Sequence, residues 1–271
     1  MPHYIHPSWK VYGTRTGRWS SAEPNAQNVP EDMRNMFIAR PGMFLASGDY
    51  SQLELRIVAM ITQDEVLLDY YARGLDVHVE TARALFGVTT PTKEQRHLAK
   101  TIEYGVNYNH SDDVSTILAS VIVDYPHVTE AVLRQLRKMW FKAHPAIYKW
   151  QRDSVKKAKE LGYVEEYLTG LRQYYYDDNV DANEVLNFPI QGFAGALANK
   201  AILALDKEIR WDAGEAILLQ VHDEIVLEGP DVDRLQGLLQ KHMPQTITLN
   251  NNTMTFPINV HSGVSWDKLK G

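Results

Sequence analysis

The sequence predicts an α+β fold with a largely antiparallel sheet, and three features carry that prediction. Residues 43–49 (MFLASGD) are an apolar run that fits a short buried strand ending at an acid. Residues 216–227 (AILLQVHDEIVL) place two apolar runs around a polar centre, which is typical of a β-hairpin with its tip at His222-Asp223. The helical patterns around these strands lack the regular alternation of a parallel βαβ sheet.

The helices are predicted from apolar spacing and from their end signals. Residues 53–61 carry apolar side chains at helical spacing, and residues 92–108 predict a helix that Pro91 precedes and Thr92 caps. Residues 129–161 predict one or two long helices, with a break near His144-Pro145. Residues 185–210 predict a long, alanine-rich helix that is entered past Pro189, and residues 1–30 predict loop or irregular strand.

Length and composition bound the class of protein. The chain has 271 residues, of which 44% are apolar and 23% are charged, as in a soluble protein with one large domain or two lobes. No apolar run predicts a membrane span and the N-terminus lacks a secretory core, so we expect no membrane partner. The absence of cysteine excludes disulfides and thiolate metal sites. It fits a location in the reducing cytoplasm.

The charge is unevenly distributed along the chain. The net charge of −6 argues weakly against nucleic-acid binding, because phosphate contacts need lysine and arginine. Residues 134–159 nevertheless contain a single acid, Asp153. This stretch is either a solvated helix face or a path for a nucleic-acid backbone or an acidic partner. Its basic residues are Arg134, Arg137, Lys138, Lys142, Lys149, Arg152, Lys156, Lys157 and Lys159.

Two carboxylates occupy positions that suit metal binding. Asp49 ends the predicted strand and Asp223 lies at the predicted hairpin tip, so both backbones are held rigidly. If the hairpin lies beside the strand, the two acids can share a pair of Mg²⁺ ions, which lie ~4 Å apart in two-metal sites. A lone aspartate at a strand end is more often a cap or turn residue. Two of them, accompanied by a cationic helix, favour the metal site.

The helix at residues 92–108 carries cationic and aromatic side chains at four-residue steps, namely Arg96, Lys100, Tyr104 and Tyr108. Each step advances by about 40°, so the four form a slowly drifting stripe on one side of the helix. Two cations can contact successive phosphates of a triphosphate, and the two rings offer faces for a base or sugar. Gly105 leaves room for the close approach of a base pair. In isolation, the two cations are commonly part of a solvated helix face, and two tyrosines at this spacing are commonly core residues.

The stretches DYSQLELR, RHLAKTIEYGVNY and QVHDE resemble motifs A, B and C of the family A (DNA polymerase I-like) DNA polymerases. TRTGRWSSAEPNAQNVP, DVHVETA and NFPIQGFAGA resemble further segments of that family, and all six follow the family's order. The resemblance implies a right-hand palm with an antiparallel sheet and a helical fingers subdomain. It assigns the palm to residues 1–60 and 181–271 and the fingers to residues 61–180.

The resemblance also implies a role for each matching residue. Glu54 would be the steric gate that excludes a ribose 2′-OH, and Glu224 and Gly105 would support the site. Tyr104 would stack on the incoming nucleotide, while Tyr108 would lie at the templating position. The implied metal ligands, for two Mg²⁺ ions or substituting Mn²⁺, are Asp49, Asp223 and the Tyr50 carbonyl. The implied nucleotide ligands are Arg96 for the outer phosphates, the catalytic Lys100 for the inner ones, Gln52, Glu54, His78, Tyr104 and Tyr108. The implied primer–template ligands are Arg18, Asn25, Gln27, Asn187, Gln191 and His222.

The chain departs from the family pattern at two positions. Many members have phenylalanine at the position of Tyr104, whereas the phage-replicase type has tyrosine, so we expect ready incorporation of dideoxynucleotides. Asn109 stands where the family usually has glycine, and the end of the helix is therefore expected to differ in shape.

The chain begins just before the implied palm, so we expect the thumb, the 3′–5′ exonuclease and the 5′ nuclease to be absent. This predicts a split polymerase in which a separate polypeptide supplies the thumb, with or without the exonuclease. A minimal, distributive enzyme and an artificially shortened chain are the alternatives.

The expected reaction is attack of a primer 3′-OH on the α-phosphate of a dNTP, directed by a template, with release of pyrophosphate. The helix at residues 92–108 would close over the nucleotide as a lid. A single-subunit RNA polymerase shares the spacing of Lys100 and Tyr108 but is not expected to carry the Glu54 gate. A catalytically inactive DNA-binding scaffold is the non-enzyme alternative.

Overall fold

A computed structural model describes residues 4–109, 113–176 and 180–269, which divide into two compact units. We call the first the sheet unit; it comprises Met1–Leu53, Gln191–Thr248 and Thr253–Gly271. We call the second the helical unit; it comprises Glu54–Ile190 and Leu249–Asn252. The predicted boundaries at residues 60 and 180 concern a palm and fingers, and that assignment stays a prediction.

Ten strands occur in the described residues. They are β1 (Ser8–Lys10), β2 (Ser20–Ala22), β3 (Phe44–Tyr50), β4 (Tyr163–Glu165), β5 (Arg172–Tyr174), β6 (Ala216–Val221), β7 (Glu224–Gly229), β8 (Gln245–Leu249), β9 (Asn252–Phe256) and β10 (Ile258–Gly263).

Nine α-helices accompany them in the same part of the chain. They are α1 (Leu53–Thr62), α2 (Glu65–Ala72), α3 (Val77–Phe86), α4 (Lys93–Asn107), α5 (Ser115–Val121), α6 (Glu130–Ala143), α7 (Pro145–Leu161), α8 (Ala182–Asp206) and α9 (Val232–His242).

A four-stranded antiparallel sheet with the order β10-β3-β7-β6 forms the centre of the sheet unit. The predicted strand and the predicted hairpin are therefore both confirmed, and they are neighbours. Successive side chains of a strand point to opposite faces, so Leu45, Ser47 and Asp49 share one face of β3. Ala46, Gly48 and Tyr50 share the other.

The two faces of β3 have different coverings. On the face of Tyr50, helix α9 and the residue after it lie against the strand: the Tyr50 hydroxyl donates to the Met243 carbonyl at 2.6 Å. A Cβ at Gly48 would lie 2.4 Å from the Met243 sulfur, so a larger residue there would displace the methionine side chain. On the opposite face, Leu45 belongs to a buried cluster with Trp266. Strand β3 is therefore packed on both faces, which limits the movement of Asp49 and Tyr50 at its end.

Helix α4 is the central helix of the helical unit and contacts α3, α5 and α6. It begins as predicted, because Thr92 and Gln95 form a capping box. The Thr92 hydroxyl accepts the Gln95 N–H at 3.1 Å, and the Gln95 side chain accepts the Thr92 N–H at 2.9 Å. This arrangement satisfies two backbone donors that a helix start would otherwise leave unpaired.

The long helical stretch after residue 129 is two helices, and the break lies at His144 as predicted. The start of α8 was predicted wrongly. The helix begins at Ala182, and Pro189 lies inside it. Asp181 caps this start by accepting the Asn183 N–H at 2.8 Å. Proline costs one backbone hydrogen bond inside a helix. Buried apolar side chains on both sides of it, including Phe188 and Ile190, offset that cost through packing.

Helix α8 is also long and apolar enough to cross a membrane, which the apolar runs of the sequence did not predict. However, 72% of its apolar stretch is buried inside the protein, as in the core helix of a globular unit. This is weak evidence for a membrane, and the expected absence of a membrane partner stays a prediction.

Candidate active site

The sheet brings the two predicted metal-binding acids together at one end. Asp49 is the penultimate residue of β3, and Asp223 lies in the turn between β6 and β7. The Tyr50 N–H donates to the Asp223 carbonyl at 3.3 Å, so the turn is bonded to the end of β3. Asp49 lies directly opposite Glu224 in the register, and directly opposed residues place their side chains on the same face. Asp49, Asp223 and Glu224 therefore all lie at this end of the sheet.

The donor set fits a magnesium site. The carboxylates of Asp49 and Asp223 and the Tyr50 carbonyl are oxygen donors, which Mg²⁺ prefers. The described residues contain no group of three or more His, Asp or Glu side chains that could hold a metal ion alone. Mg²⁺ usually keeps several waters and substrate oxygens, so a small protein donor set suits it. The backbone of Tyr50 is well fixed, because its buried hydroxyl is held by Met243 and by the Gln245 amide at 3.0 Å.

Two predicted DNA ligands are bonded to the protein beside this hairpin. The Gln27 amide donates to the Gln220 carbonyl at 3.0 Å and to the Trp19 carbonyl at 3.2 Å. The Asn25 side chain caps a short helical turn by accepting the Gln27 N–H at 3.0 Å, and it accepts the Ser21 hydroxyl at 2.9 Å. These contacts position the loop on β6, two residues before the exposed His222. Their contacts with DNA stay predictions.

A second group of predicted DNA ligands lies around α8. Within the sheet unit, a Cβ at Gly195 would lie 3.1 Å from the Arg18 Cγ, so the absence of a side chain lets the Arg18 segment approach the helix. Asn199 holds the same segment through the Gly17 carbonyl at 3.3 Å. Gln191 is half-buried on α8. In the helical unit, Asn187 is exposed on the first turns of that helix.

The cationic and aromatic stripe of α4 lines a cavity of about 1040 Å³ inside the helical unit. All four predicted residues line it, together with side chains of α5. The stripe is therefore on one side of the helix, as its four-residue spacing predicted. A cavity with cations at one end and rings along its wall is chemically suited to a nucleoside triphosphate. The predicted residues are Arg96, Lys100, Tyr104 and Tyr108.

The cations of the stripe have defined neighbours. Arg96 donates to the Asp76 carboxylate at 2.8 Å, and Asp76 also caps α3 by accepting the Val79 N–H at 3.2 Å. Burial raises the pKa of Asp76, but the hydrogen bonds from Arg96 and Val79 outweigh burial and hold that pKa below its usual range. The Lys100 ammonium lies 5.9 Å from the centre of the Tyr104 ring, within reach of a cation–π contact.

The predicted steric gate is held by a residue of the stripe. Within the helical unit, the Tyr108 hydroxyl donates to the Glu54 carboxylate. Tyr108 is the C-cap of α4, and Glu54 lies in the first turn of α1. The predicted gate and the predicted templating residue are therefore in contact. Gln52 lies in the sheet unit with a backbone φ of +52° in the turn before α1.

Gly105 has a packing reason to be glycine. A Cβ at this position would lie 2.5 Å from Cγ1 of Ile117 on α5. Ile117 therefore occupies the space beside the helix, and only glycine permits this contact. The predicted role of Gly105 in admitting a base pair is a separate matter and stays a prediction.

Two acids without a predicted role, Glu103 and Asp76, contact predicted nucleotide ligands. His78, a predicted nucleotide ligand, is buried and bonds through Nδ1 to the Glu103 carboxylate. The centres of the His78 and Tyr104 rings are 6.2 Å apart. Glu103 was detectable as an acid at the spacing of the buried apolar residues Ala99 and Val106. For Asp76, the only signal in the sequence was its place in the stretch DVHVETA.

The basic run lies on α6 and α7, and its side chains are exposed except for Arg137. Several of them pair along the helix, as Lys149 does with Asp153, and Lys156 with Glu160 at 3.8 Å. Such pairs are typical of a solvated face. The role of this face as a path for DNA stays a prediction.

Comparisons with known proteins identify relatives over nearly the whole chain. The family model described as DNA polymerase family A matches residues 2–268. DNA polymerase I of Geobacillus stearothermophilus is 31% identical over 283 residues, which are 97% of this chain and 31% of that protein. DNA polymerase I of Chloroflexus aurantiacus is 32% identical over 283 residues, with 98% of this chain and 29% of that protein covered. The chain thus spans about a third of the length of the curated relatives it matches.

The fold of this chain is also similar to that of a solved structure. It is the POL domain of Pol1 from M. smegmatis in complex with DNA primer-template and dNTP. The TM-score is 0.84 at 29% sequence identity, and the match covers 98% of this chain and 48% of that one. The predicted α+β polymerase fold is therefore confirmed. The chain belongs to DNA polymerase family A.

Proposed function

We propose that this chain performs template-directed DNA synthesis, in which a primer 3′-OH attacks the α-phosphate of a dNTP and pyrophosphate leaves. The observation that carries the proposal is the meeting of Asp49 and Asp223 at the end of β3, fixed by the bond from the Tyr50 N–H to the Asp223 carbonyl. Membership of the polymerase family supports it. The similar Pol1 domain was solved with primer-template and dNTP, the substrates proposed here.

Asp49, Asp223 and the Tyr50 carbonyl would hold two Mg²⁺ ions, with Mn²⁺ as a possible substitute. Such ions supply charge neutralisation at the attacking and leaving oxygens. The contribution of the chain itself is rigidity: β3 is covered on both faces, and the turn of Asp223 is bonded to its end. Carboxylates held in this way need little reorganisation during the reaction. Glu224, directly opposite Asp49, would support them.

The α4 cavity of the helical unit would bind the nucleotide. Arg96 would contact the outer phosphates and Lys100 the inner ones, with Gln52 and His78 assisting. Tyr104, a tyrosine of the phage-replicase type, would stack on the base or sugar. In the proposed mechanism, α4 moves as a lid over the nucleotide. We assign it to the fingers (residues 61–180), and residues 1–60 and 181–271 to the palm.

Primer extension tests the metal assignment. We expect Asp223→Asn to lower the extension rate at least about 100-fold, because it removes a negatively charged ligand at the point where charge develops. Asp231→Asn is the matched control: Asp231 caps α9 on the same unit, and asparagine caps equally well. Removing divalent ions with a chelator should stop extension by the unaltered protein. An unchanged rate for Asp223→Asn would refute the assignment.

The proposed gate distinguishes DNA synthesis from RNA synthesis. Glu54 is bonded to Tyr108, so its side chain has a defined position and can exclude a 2′-OH. We expect extension with dNTPs to exceed extension with rNTPs by at least about 100-fold, since a clash at this point misplaces the reacting atoms. Equal use of both substrates would favour the single-subunit RNA polymerase.

We also propose that a separate polypeptide supplies a thumb, with or without a 3′–5′ exonuclease. The net charge of −6 supports this proposal, since a chain of this charge attracts DNA weakly and needs a further basic surface to retain it. Isolation of the protein from its native source, in the cytoplasm as we expect, should recover a second polypeptide. A monomer that is fully processive would contradict the proposal.

A further inference from the structure

A buried carboxylate lies directly behind the nucleotide-binding face of α4. The side chain of Glu103, the residue before Tyr104, is 0% exposed to solvent. One of its oxygens bonds to Nδ1 of His78. The other has no hydrogen-bond partner among the residues that the structure describes. Burying a carboxylate with so few partners is costly. Glu103 therefore does not stabilise the fold by itself, and a functional reason for it is needed.

His78 connects this carboxylate to the cavity. Its ring lies on α3, with Nδ1 toward Glu103 and its centre 6.2 Å from the centre of the Tyr104 ring. Tyr104 lines the cavity, and the Lys100 ammonium lies over its ring. The contacts thus run from a buried acid through an imidazole to two cavity residues. An imidazole held at only one nitrogen keeps the other for a further partner.

Among the described side chains near Glu103, His78 is the one that is hydrogen-bonded to its carboxylate. Burial raises the pKa of Tyr71 well above its usual value; nearby Arg56 lowers it, and the charges of Glu103 and Tyr104 raise it further. The phenol of Tyr71 therefore stays neutral beside the carboxylate. The Arg56 guanidinium lies 4.1 Å from the centre of the Tyr71 ring.

We propose that Glu103 is a positioning residue for nucleotide binding. By accepting the Nδ1–H of His78, it fixes the tautomer and the orientation of the imidazole, so that Nε2 and the ring edge face the region of Tyr104. A carboxylate that holds a histidine by one nitrogen sets the direction of the other. The kinetic consequence rests on the proposed function, since it assumes that the α4 cavity binds a dNTP. The geometric part does not depend on activity.

Substitutions of Glu103 test whether this residue positions His78 or only supports the packing of α4. Glu103→Leu removes the acceptor at similar size, whereas Glu103→Gln keeps a carbonyl acceptor. We expect Glu103→Leu to raise the KM for dNTP roughly 10-fold or more, the effect of losing one charged hydrogen bond, while kcat changes less than about 2-fold. Glu103→Gln should stay within about 3-fold of the unaltered protein. Glu94→Gln, which alters a half-exposed acid in the first turn of the same helix, is the matched control. A normal KM for Glu103→Leu would overturn the proposal.

A double-mutant cycle tests whether Glu103 acts through His78. His78→Ala should raise the KM for dNTP, and adding Glu103→Leu to it should raise the KM no further. Effects that multiply would mean that Glu103 supports α4 independently of the histidine, which overturns the proposal. Glu103→Met, also without an acceptor but unbranched, provides the same cycle if the leucine variant does not fold.

Imidazole ¹H–¹⁵N spectra provide a readout that needs no catalysis. The unaltered protein should show a hydrogen-bonded Nδ1–H for His78, which Glu103→Leu abolishes and Glu103→Gln retains. If this signal is present but no variant extends a primer, the proposed function fails and the geometry stands. If the protein extends primers but the signal is absent, the inference fails and the proposed function stands.

Discussion

The hydroxyl of Tyr50 provides a direct test of how the active-site strand is held. Tyr50 is only 2% exposed, donates to the Met243 carbonyl at 2.6 Å and accepts the Gln245 amide at 3.0 Å. Tyr50→Phe keeps the ring and its packing and removes both bonds. The Gln245 amide retains the Leu197 carbonyl at 2.8 Å, so the main loss is the unpaired Met243 carbonyl. An unsatisfied buried group costs about 1–3 kcal/mol, and we expect a loss of about 1–2 kcal/mol in the free energy of unfolding.

The pH dependence of the free energy of unfolding tests the burial of Tyr50 independently. Burial raises the pKa of Tyr50 well above its usual range, and the hydrogen bond from Gln245 opposes that shift only partly. The folded protein thus favours the neutral phenol. This contribution is fully present below the unfolded pKa of about 10 and is lost as pH rises toward the folded value. Phenylalanine has no such loss. The difference between the two proteins should therefore shrink by about 1 kcal/mol from pH 8 to pH 11.

The assay is urea denaturation followed by tryptophan fluorescence at pH 8 and at pH 11, with both proteins measured in parallel. Tyr176→Phe is the control, because Tyr176 is 95% exposed and its hydroxyl is in solvent. A difference below about 0.3 kcal/mol for Tyr50→Phe at pH 8 would refute the hydrogen-bond argument. A difference that is the same at both pH values would refute the burial of a neutral phenol.

Two further predictions concern α4. Gly105→Ala should lower the free energy of unfolding by about 1–3 kcal/mol, because the new methyl group displaces Ile117, and Ile117→Ala in the same chain should remove most of that cost. Thermal denaturation of the two single variants and the double variant measures this, and fully additive losses would contradict it. Tyr104→Phe should reduce the use of dideoxynucleotides relative to dNTPs, since a phenol can replace the hydrogen bond of the missing 3′-OH. Primer-termination assays measure the ratio, and equal ratios for the two enzymes would show that the hydroxyl has no such role.

Local signals predicted the strands and helices that carry the candidate site, while many of the other elements were not predicted. Thr92 and Gln95 form a capping box from residues three positions apart, so the start of α4 could be predicted from the sequence. The hairpin of β6 and β7 was likewise readable, because its turn and strands are consecutive. The start of α8 was not, because proline disfavours a helix interior and only the packing of buried side chains overcomes this.

In the candidate site, too, some residues were predicted from the sequence and others were identified only from the structure. Asp49, Asp223 and the stripe of α4 were predicted from spacing and from resemblance to a family. Glu103 and Asp76 received no predicted role, since their partners His78 and Arg96 lie 25 and 20 residues away in the chain. Pairs of this kind depend on how α3 packs against α4, which neither helix specifies alone.

The sequence by itself determined the type of the elements that carry the candidate site, the position of Asp49 at the end of a strand and of Asp223 in a turn, and membership of a polymerase family. These properties depend on neighbouring residues and on motif order. The tertiary structure alone decided that Glu224 lies opposite Asp49, that Tyr108 holds Glu54, and that Glu103 is buried against His78. Strand register and helix packing are set by the simultaneous burial of many distant side chains. The contacts that hold the proposed catalytic groups in place therefore follow from the fold as a whole.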